Sequence, residues 1–231
     1  MLRRLYRYFT PGERLLWCAS VGAILLSFFL LDRKGWLTLA ASLIGVTSII
    51  INAKGNPVGQ ALMVTFSLLY GYISYACAYY GEMITYLGMT GPMAALAFIS
   101  WVRHPFQGNR AQVQVNRISR REHVLALLLT AAVTAGFFFI LRALHTANLA
   151  VSTVSVATSF WAVYLTFRRS PLFSLGYAAN DVVLIVLWIM AAVQDSSYLS
   201  VVVCFAAFLA NDLYGFISWR RMEKKQAAAC Q

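Results

Sequence analysis

The chain has 231 residues, of which 60% are hydrophobic and only 12% charged, against roughly half apolar and a quarter charged in a soluble domain. Its apolar runs are longer than ordinary core helices need, which excludes a plain water-soluble domain. Nineteen Lys and Arg against eight Asp and Glu give a net charge of +11, but the basic residues lie between apolar runs rather than along one face. That pattern reads as membrane topology, not nucleic-acid binding.

In chain order, Arg3, Arg4 and Arg7 precede an apolar run as in a secretory signal. No small-residue cleavage site follows the Asp32-Arg33-Lys34 turn, so the segment is expected to stay as a helix. Crossing hydrocarbon takes about twenty apolar residues in helical form. Eight segments qualify: Leu15 to Leu31, Trp36 to Asn52, Val58 to Tyr80, Met83 to Val102, His123 to Leu144, Leu149 to Phe167, Leu172 to Gln194 and Tyr198 to Trp219. The second carries Thr38, Ser42, Thr47 and Ser48, which marks it as strongly packed or partly re-entrant, and it is kept as a span.

Eight spans place both termini on one side. That side receives Arg3, Arg4, Arg7, Arg14, Lys54, five arginines from Arg103 to Arg121, Arg168, Arg169 and four basic residues after Trp219, sixteen in all against three on the other. The excess of Lys and Arg assigns this side, and both termini, to the cytoplasm. The one sizeable polar segment, Arg103 to Glu122, alternates Val113, Val115 and Ile118. Lying along lipid headgroups is the favoured reading, with a short hairpin as the alternative.

That segment divides the chain nearly in half, and landmarks recur on either side. Phe98-Ile99-Ser100-Trp101 returns as Phe216-Ile217-Ser218-Trp219; Thr47-Ser48 as Thr158-Ser159; Pro57 as Pro171. The expected architecture is all-α, polytopic, with about eight transmembrane helices arranged 1+3+1+3. Residues 1–35 are a basic segment and an extra helix, 36–102 a three-helix bundle, 103–148 a cytoplasmic loop and linker helix, 149–219 a second bundle and 220–231 a basic tail. An odd number of helices per unit with one helix between makes the repeats parallel.

Only Asp181 and Asp212 of the eight acidic residues fall inside apolar segments, each after an asparagine (Asn180, Asn211). A carboxylate at helix centre costs about 2.5 to 3.5 kcal/mol, so both are expected to face the bundle interior. Asp181, near mid-span, is the better substrate-site candidate; either acid could equally be held by neighbouring hydroxyls as bundle glue. A flat heterocycle needs aromatic faces beside polar edges, which adds Trp161, Tyr164, Tyr177 and Trp188, with the tyrosines of spans three and four (Tyr70 and Tyr86 among them) as a possible opposite wall. Trp36, Trp101 and Trp219, at span ends, read as interfacial anchors. Glu82, in the turn Tyr80-Gly81-Glu82, reads as a solvated turn residue. No phosphate loop appears, the three histidines form no metal or nucleophile constellation, and Cys18, Cys77, Cys204 and Cys230 show no ligand spacing. No catalytic residue, metal or cofactor is expected.

The Asn-Asp-bearing seventh span, the closing Asn211-Asp212-Leu213-Tyr214-Gly215-Phe216-Ile217-Ser218-Trp219, and Tyr79-Tyr80-Gly81-Glu82-Met83 with Pro92 and Trp101 resemble the Pnu-type nicotinamide riboside transporters over most of the chain. The resemblance implies an enlarged relative of the sugar-transporting SWEET fold, two three-helix bundles joined by a linker helix. It also implies uptake by facilitated diffusion through an inner (plasma) membrane, trapping of the riboside by a cytoplasmic kinase, and a homotrimer. Carried over by residue, it places Trp161, Asn180, Asp181, Asn211 and Tyr214 at the substrate, with Thr85 and Tyr86 from span four where a glutamine is expected. That departure leaves thiamine and riboflavin, carried by related members, as alternatives. Two readings of other classes are an intramembrane enzyme with Asp181 and Asp212 as acid and base, and a non-transporting scaffold.

Overall fold

The computed structural model describes residues 8–33, 35–77, 79–146 and 148–229. Arg3, Arg4, Arg7, Lys34 and Cys230 lie outside them. Among the described residues the regular structure is all helical apart from one hairpin. The long helices are α1 (Pro11–Leu31), α2 (Trp36–Asn52), α3 (Val58–Ala76), α4 (Tyr80–Arg103), α5 (Arg120–Ala143), α6 (Leu149–Phe167), α7 (Phe173–Ala192) and α8 (Leu199–Ala229). Six of them are long and apolar enough to cross a membrane, α2 is a shorter apolar helix, and α3 is helical over 19 residues.

Local chemistry sets the ends. Thr10 and Glu13 form a capping box at α1, with Pro11 in the first turn. Ser119 caps α5 by accepting from the Glu122 N–H at 3.2 Å. These oxygens satisfy amides that a helix start leaves bare. The α2–α3 turn needs a left-handed residue, supplied by Gly55 at φ +69°, where glycine carries no Cβ penalty. Its counterpart between α6 and α7 is Arg169, at φ +58°.

The hairpin departs from the favoured headgroup reading. Pro105–Phe106 (β1) pairs antiparallel with Asn109–Val113 (β2). Val113 is fully buried against Trp101, Trp219 and Met222. The backbone explains it: the Val113 N–H donates to the Gly55 carbonyl (2.8 Å) and the Asn116 N–H to the Arg169 carbonyl (3.0 Å), so the segment is tied to both left-handed turns. Gln226, on the part of α8 that runs on past Trp219, donates to the Val113 carbonyl and accepts from the Val115 N–H.

Trp101 and Trp219 are not interfacial anchors. Both are fully buried, with rings 5.2 Å apart. Trp101 Nε1 donates to the Thr166 carbonyl (2.9 Å) and Ser100 Oγ to that of Phe167 (3.1 Å), so α4 caps the open end of α6. Trp219 Nε1 donates to the Asn52 carbonyl (2.8 Å) and Ser218 Oγ to that of Ala53 (2.7 Å), so α8 does the same for α2. Each Ser-Trp pair bonds carbonyls at a helix C-terminus, two of which, Asn52 and Thr166, also accept the Gly55 and Arg169 N–H groups of the following turn. The matching reaches α1 and α5: Lys54 pairs with Glu13, and Arg168 with Glu122. That pairing raises the Arg168 pKa, whereas burial and the Arg168 charge hold the Arg169 guanidinium below its usual value.

Two apolar layers result. Trp101, Trp219, Phe173, Leu165, Val113 and Met222 seal the basic face. A larger cluster from α2, α3, α4, α7 and α8, including Phe66, Tyr70, Tyr86, Trp188, Phe205 and Phe208, fills the rest.

Candidate functional site

Between these layers the interior turns polar. Asn180 and Asp181, at mid-α7, are 3% and 4% exposed. Asn180 faces α6, where its Oδ1 accepts from Thr158 (2.8 Å), Ser159 (2.9 Å) and Ser155 (3.4 Å). Asp181 faces α8, where its carboxyl reaches that of Asp212, while its Oδ2 has no partner. The two intramembrane acids therefore converge. Tyr177, one turn before Asp181 on α7, lies within electrostatic range of both acids and near the Thr166 hydroxyl.

The opposite wall comes from α3 and α4. At Thr85–Thr90 the α4 backbone widens into a π-helical turn, a local irregularity that recurs at functional sites. Thr85 Oγ1 satisfies the Gly81 carbonyl at 2.8 Å. Tyr86, 5% exposed, points inward: its ring lies 4.5 Å from that of Tyr70, and Asp181, Tyr177 and Glu82 all act on it electrostatically. Tyr70 accepts a 2.7 Å hydrogen bond from Trp188 Nε1, which joins α3 to α7 above the acids. Phe66 and Phe205 complete the aromatic wall at 5.5 and 5.7 Å from Tyr70.

Of the residues singled out in the sequence, Asn180, Asp181, Thr85, Tyr86 and Trp188 thus gather in one interior. Asn211 is fully buried beside it but turns to α1, donating from Nδ2 to Ser20 Oγ (2.8 Å) with its Oδ1 unpartnered. Tyr214 lies toward the basic face, its hydroxyl donating to Glu13 Oε1 at 2.9 Å. Trp161 and Tyr164 are half-buried against the Trp101–Trp219 layer, and Tyr164 stacks on Phe160.

Glu82 is the residue that sequence reasoning missed. It is no solvated turn residue: it lies in the first turn of α4, is 2% exposed, lies near the Ser155 hydroxyl and keeps Oε2 unpartnered. Its spacing of four from Tyr86, which puts both on one helical face, was the available signal. Ser67, Ser74 and Thr90 add further buried hydroxyls without partners. Such orphans are rare in a finished core and collect where a polar ligand completes the bonding. The buried charged residues among those described, Glu13, Glu82, Asp181 and Asp212, are all acidic. In this structure the aromatic wall encloses only about 10 Å³, beside Ser42, Tyr70, Trp188 and Cys204. Among the described residues no group of three metal-ligating side chains occurs and Cys18, Cys77 and Cys204 are unpaired.

Comparison with known proteins supplies the family and the fold. The chain is 26% identical over 204 residues to a nicotinamide riboside transporter, PnuC, of Neisseria mucosa, covering 86% of this chain and 77% of that one. It is 20% identical over 196 residues to the Haemophilus influenzae protein of the same name, covering 82% and 81%. In three dimensions it superposes on a crystal structure of the vitamin B3 transporter PnuC with a TM-score of 0.83 at 23% identity, over 94% of both chains. These relatives are transporters, and the enzyme reading falls with them although its two acids do meet. A family model described as nicotinamide mononucleotide transporter matches residues 35–221, nearly the whole helical body, and the chain therefore belongs to that family of multi-pass membrane transporters.

Proposed function

We propose that this chain carries nicotinamide riboside across the membrane. The observation that carries the reading is the acidic, aromatic interior. The riboside is a cation with a flat ring, suited to tyrosine faces and carboxylates. The mononucleotide differs by a phosphate, which wants Arg, Lys or a helix N-terminus and would here meet Glu82, Asp181 and Asp212. In this reading Asn180, Asp181, Thr85, Tyr86 and Trp188 line the path, with Asn211 next to them; Trp161, Tyr164 and Tyr214 act nearer the basic face.

Transport is by facilitated diffusion with alternating access, and phosphorylation inside by a riboside kinase traps the product. Two units, each closed by the other's Ser-Trp pair at the basic face, give rocking halves a natural seam. Eight crossings of the inner membrane put both termini and the basic face in the cytoplasm. The little-buried α5, with its outward Leu127, Leu128 and Phe139, is the face we assign to a homotrimer.

The test is calorimetric titration of the detergent-purified protein with nicotinamide riboside, its mononucleotide, thiamine and riboflavin. Saturable binding of the riboside and none of the mononucleotide is expected. Equal binding of the mononucleotide, preference for thiamine or riboflavin, or no binding by folded protein each overturns the substrate assignment.

A further inference from the structure

We infer that Glu82 is a specificity residue that makes the interior select a ligand for its positive charge; the inference rests on the riboside reading above. Glu82 enters from the end of the bundle opposite the basic face, where α4 is pressed onto α5. A Cβ added at Gly81 would stand 2.9 Å from the Thr146 side chain and 3.0 Å from that of Leu141, so the backbone just before Glu82 is packed closely against the end of α5. The Glu82 carboxyl is committed inward. One oxygen lies within reach of the Ser155 hydroxyl, whose single proton goes to Asn180 Oδ1 at 3.4 Å, so Ser155 on α6 stands between Glu82 and the Asn180–Asp181 pair. The other oxygen has no partner.

Three features make this a ligand-directed carboxylate. Burying a carboxyl oxygen without a hydrogen bond or counter-charge is unfavourable, so a core that served packing alone gains nothing from it. No Lys, Arg or His occurs among the described buried residues, so the missing partner is not supplied by the interior of the protein. Glu82 stands one turn before Tyr86 on α4, and the Tyr86 and Tyr70 rings, 4.5 Å apart, offer the faces that attract cations. Asp181 acts electrostatically on Tyr86 and also keeps an unpartnered oxygen. A flat cation placed at these two rings would therefore be within electrostatic reach of the Glu82 carboxyl and of the Asp181–Asp212 pair. A neutral ligand of the same outline would leave both oxygens orphaned, and an anionic one would be repelled.

Nicotinamide riboside and its 1,4-dihydro form separate charge from shape, because the reduced ring is neutral and nearly the same size. Wild-type protein should bind the cation more tightly than the dihydro form. Glu82→Gln should weaken the cation about a hundredfold, the scale of losing one member of a buried charge pair, and leave the neutral form within about threefold. Glu82→Asp keeps the charge but shortens the arm, and its loss should likewise fall on the cation alone; it serves if Glu82→Gln does not fold. Equal affinity of wild type for both forms, or equal losses in the variants, overturns the inference while leaving the riboside reading intact. Folded wild-type protein that binds neither form removes the riboside reading, and this inference with it.

Discussion

Single side chains here do two kinds of work that composition does not distinguish. Asn180 is a structural acceptor as much as a site residue: one oxygen satisfies hydroxyls of Thr158, Ser159 and Ser155 on the neighbouring helix. Asn180→Ala strands the buried Ser155 and Ser159 hydroxyls, while Thr158 keeps the Val154 and Ser155 carbonyls; it should lower stability by about 1 to 3 kcal/mol, read as earlier unfolding in detergent, together with loss of transport. Trp219 is comparable. Its indole spans α8 and α2 through one bond to the Asn52 carbonyl, so Trp219→Phe keeps the ring volume and removes the bond. A cost of about 1 to 2 kcal/mol is expected, and an unchanged melting temperature would show that the Gly55 N–H, 2.8 Å from the same carbonyl, satisfies it alone. The mid-span acids were legible in the sequence because a charge in hydrocarbon demands explanation. Glu82 was not, since it stands at a span boundary, where hydropathy cannot tell a solvated turn from an inward one.

At the scale of helices, contact between α6 and α7 depends on a missing side chain. A Cβ at Gly176 would lie 2.9 Å from the Ala162 Cα and 3.0 Å from its Cβ. Because this clash is with backbone, Gly176→Ala must push the helices apart, at about 1 to 3 kcal/mol. Lipid offers helices no hydrophobic gain from association, so small residues and close packing hold them together. The measurement is thermal unfolding of purified protein, alongside Gly136→Ala on α5, where a Cβ meets nothing within 4 Å and no loss is expected. The repeat landmarks behave unequally at this scale. The two Ser-Trp pairs make equivalent bonds, whereas Thr158 and Ser159 hold Asn180 but Thr47 accepts from Trp17 Nε1 (3.1 Å) and Ser48 donates to the Gly59 carbonyl. Short motifs can repeat in sequence and diverge in partners.

For the whole molecule, orientation is the property to test. The hairpin tip at Gly108 belongs to the basic face, and a Cβ there meets nothing. Gly108→Cys, on a background in which the native cysteines are replaced, should react with a membrane-impermeant maleimide in inverted vesicles and not in intact cells. Labelling of intact cells would reverse the cytoplasmic assignment drawn from the Lys and Arg bias. The hairpin also decides how open that face is. Val113 fills the space beside Trp101 and Trp219 while its segment ties both left-handed turns, so the alternating access proposed above would have to loosen these bonds.

By itself the sequence determined the membrane class, the helical character, the family resemblance and the two interior acids. Each follows from local rules: apolar run length, the cost of unmet backbone groups in lipid and the price of a buried charge. Only the tertiary structure decided which residues share one interior. It brought Asp181 to Asp212, turned Glu82 inward, moved Trp161, Tyr164 and Tyr214 toward the basic face, and folded the polar loop into a plug. The physical reason is that a helix fixes the direction of its own side chains but not the neighbour they meet. Those partners are set by crossings, tight glycine contacts and exchanged end-caps between segments far apart in the chain.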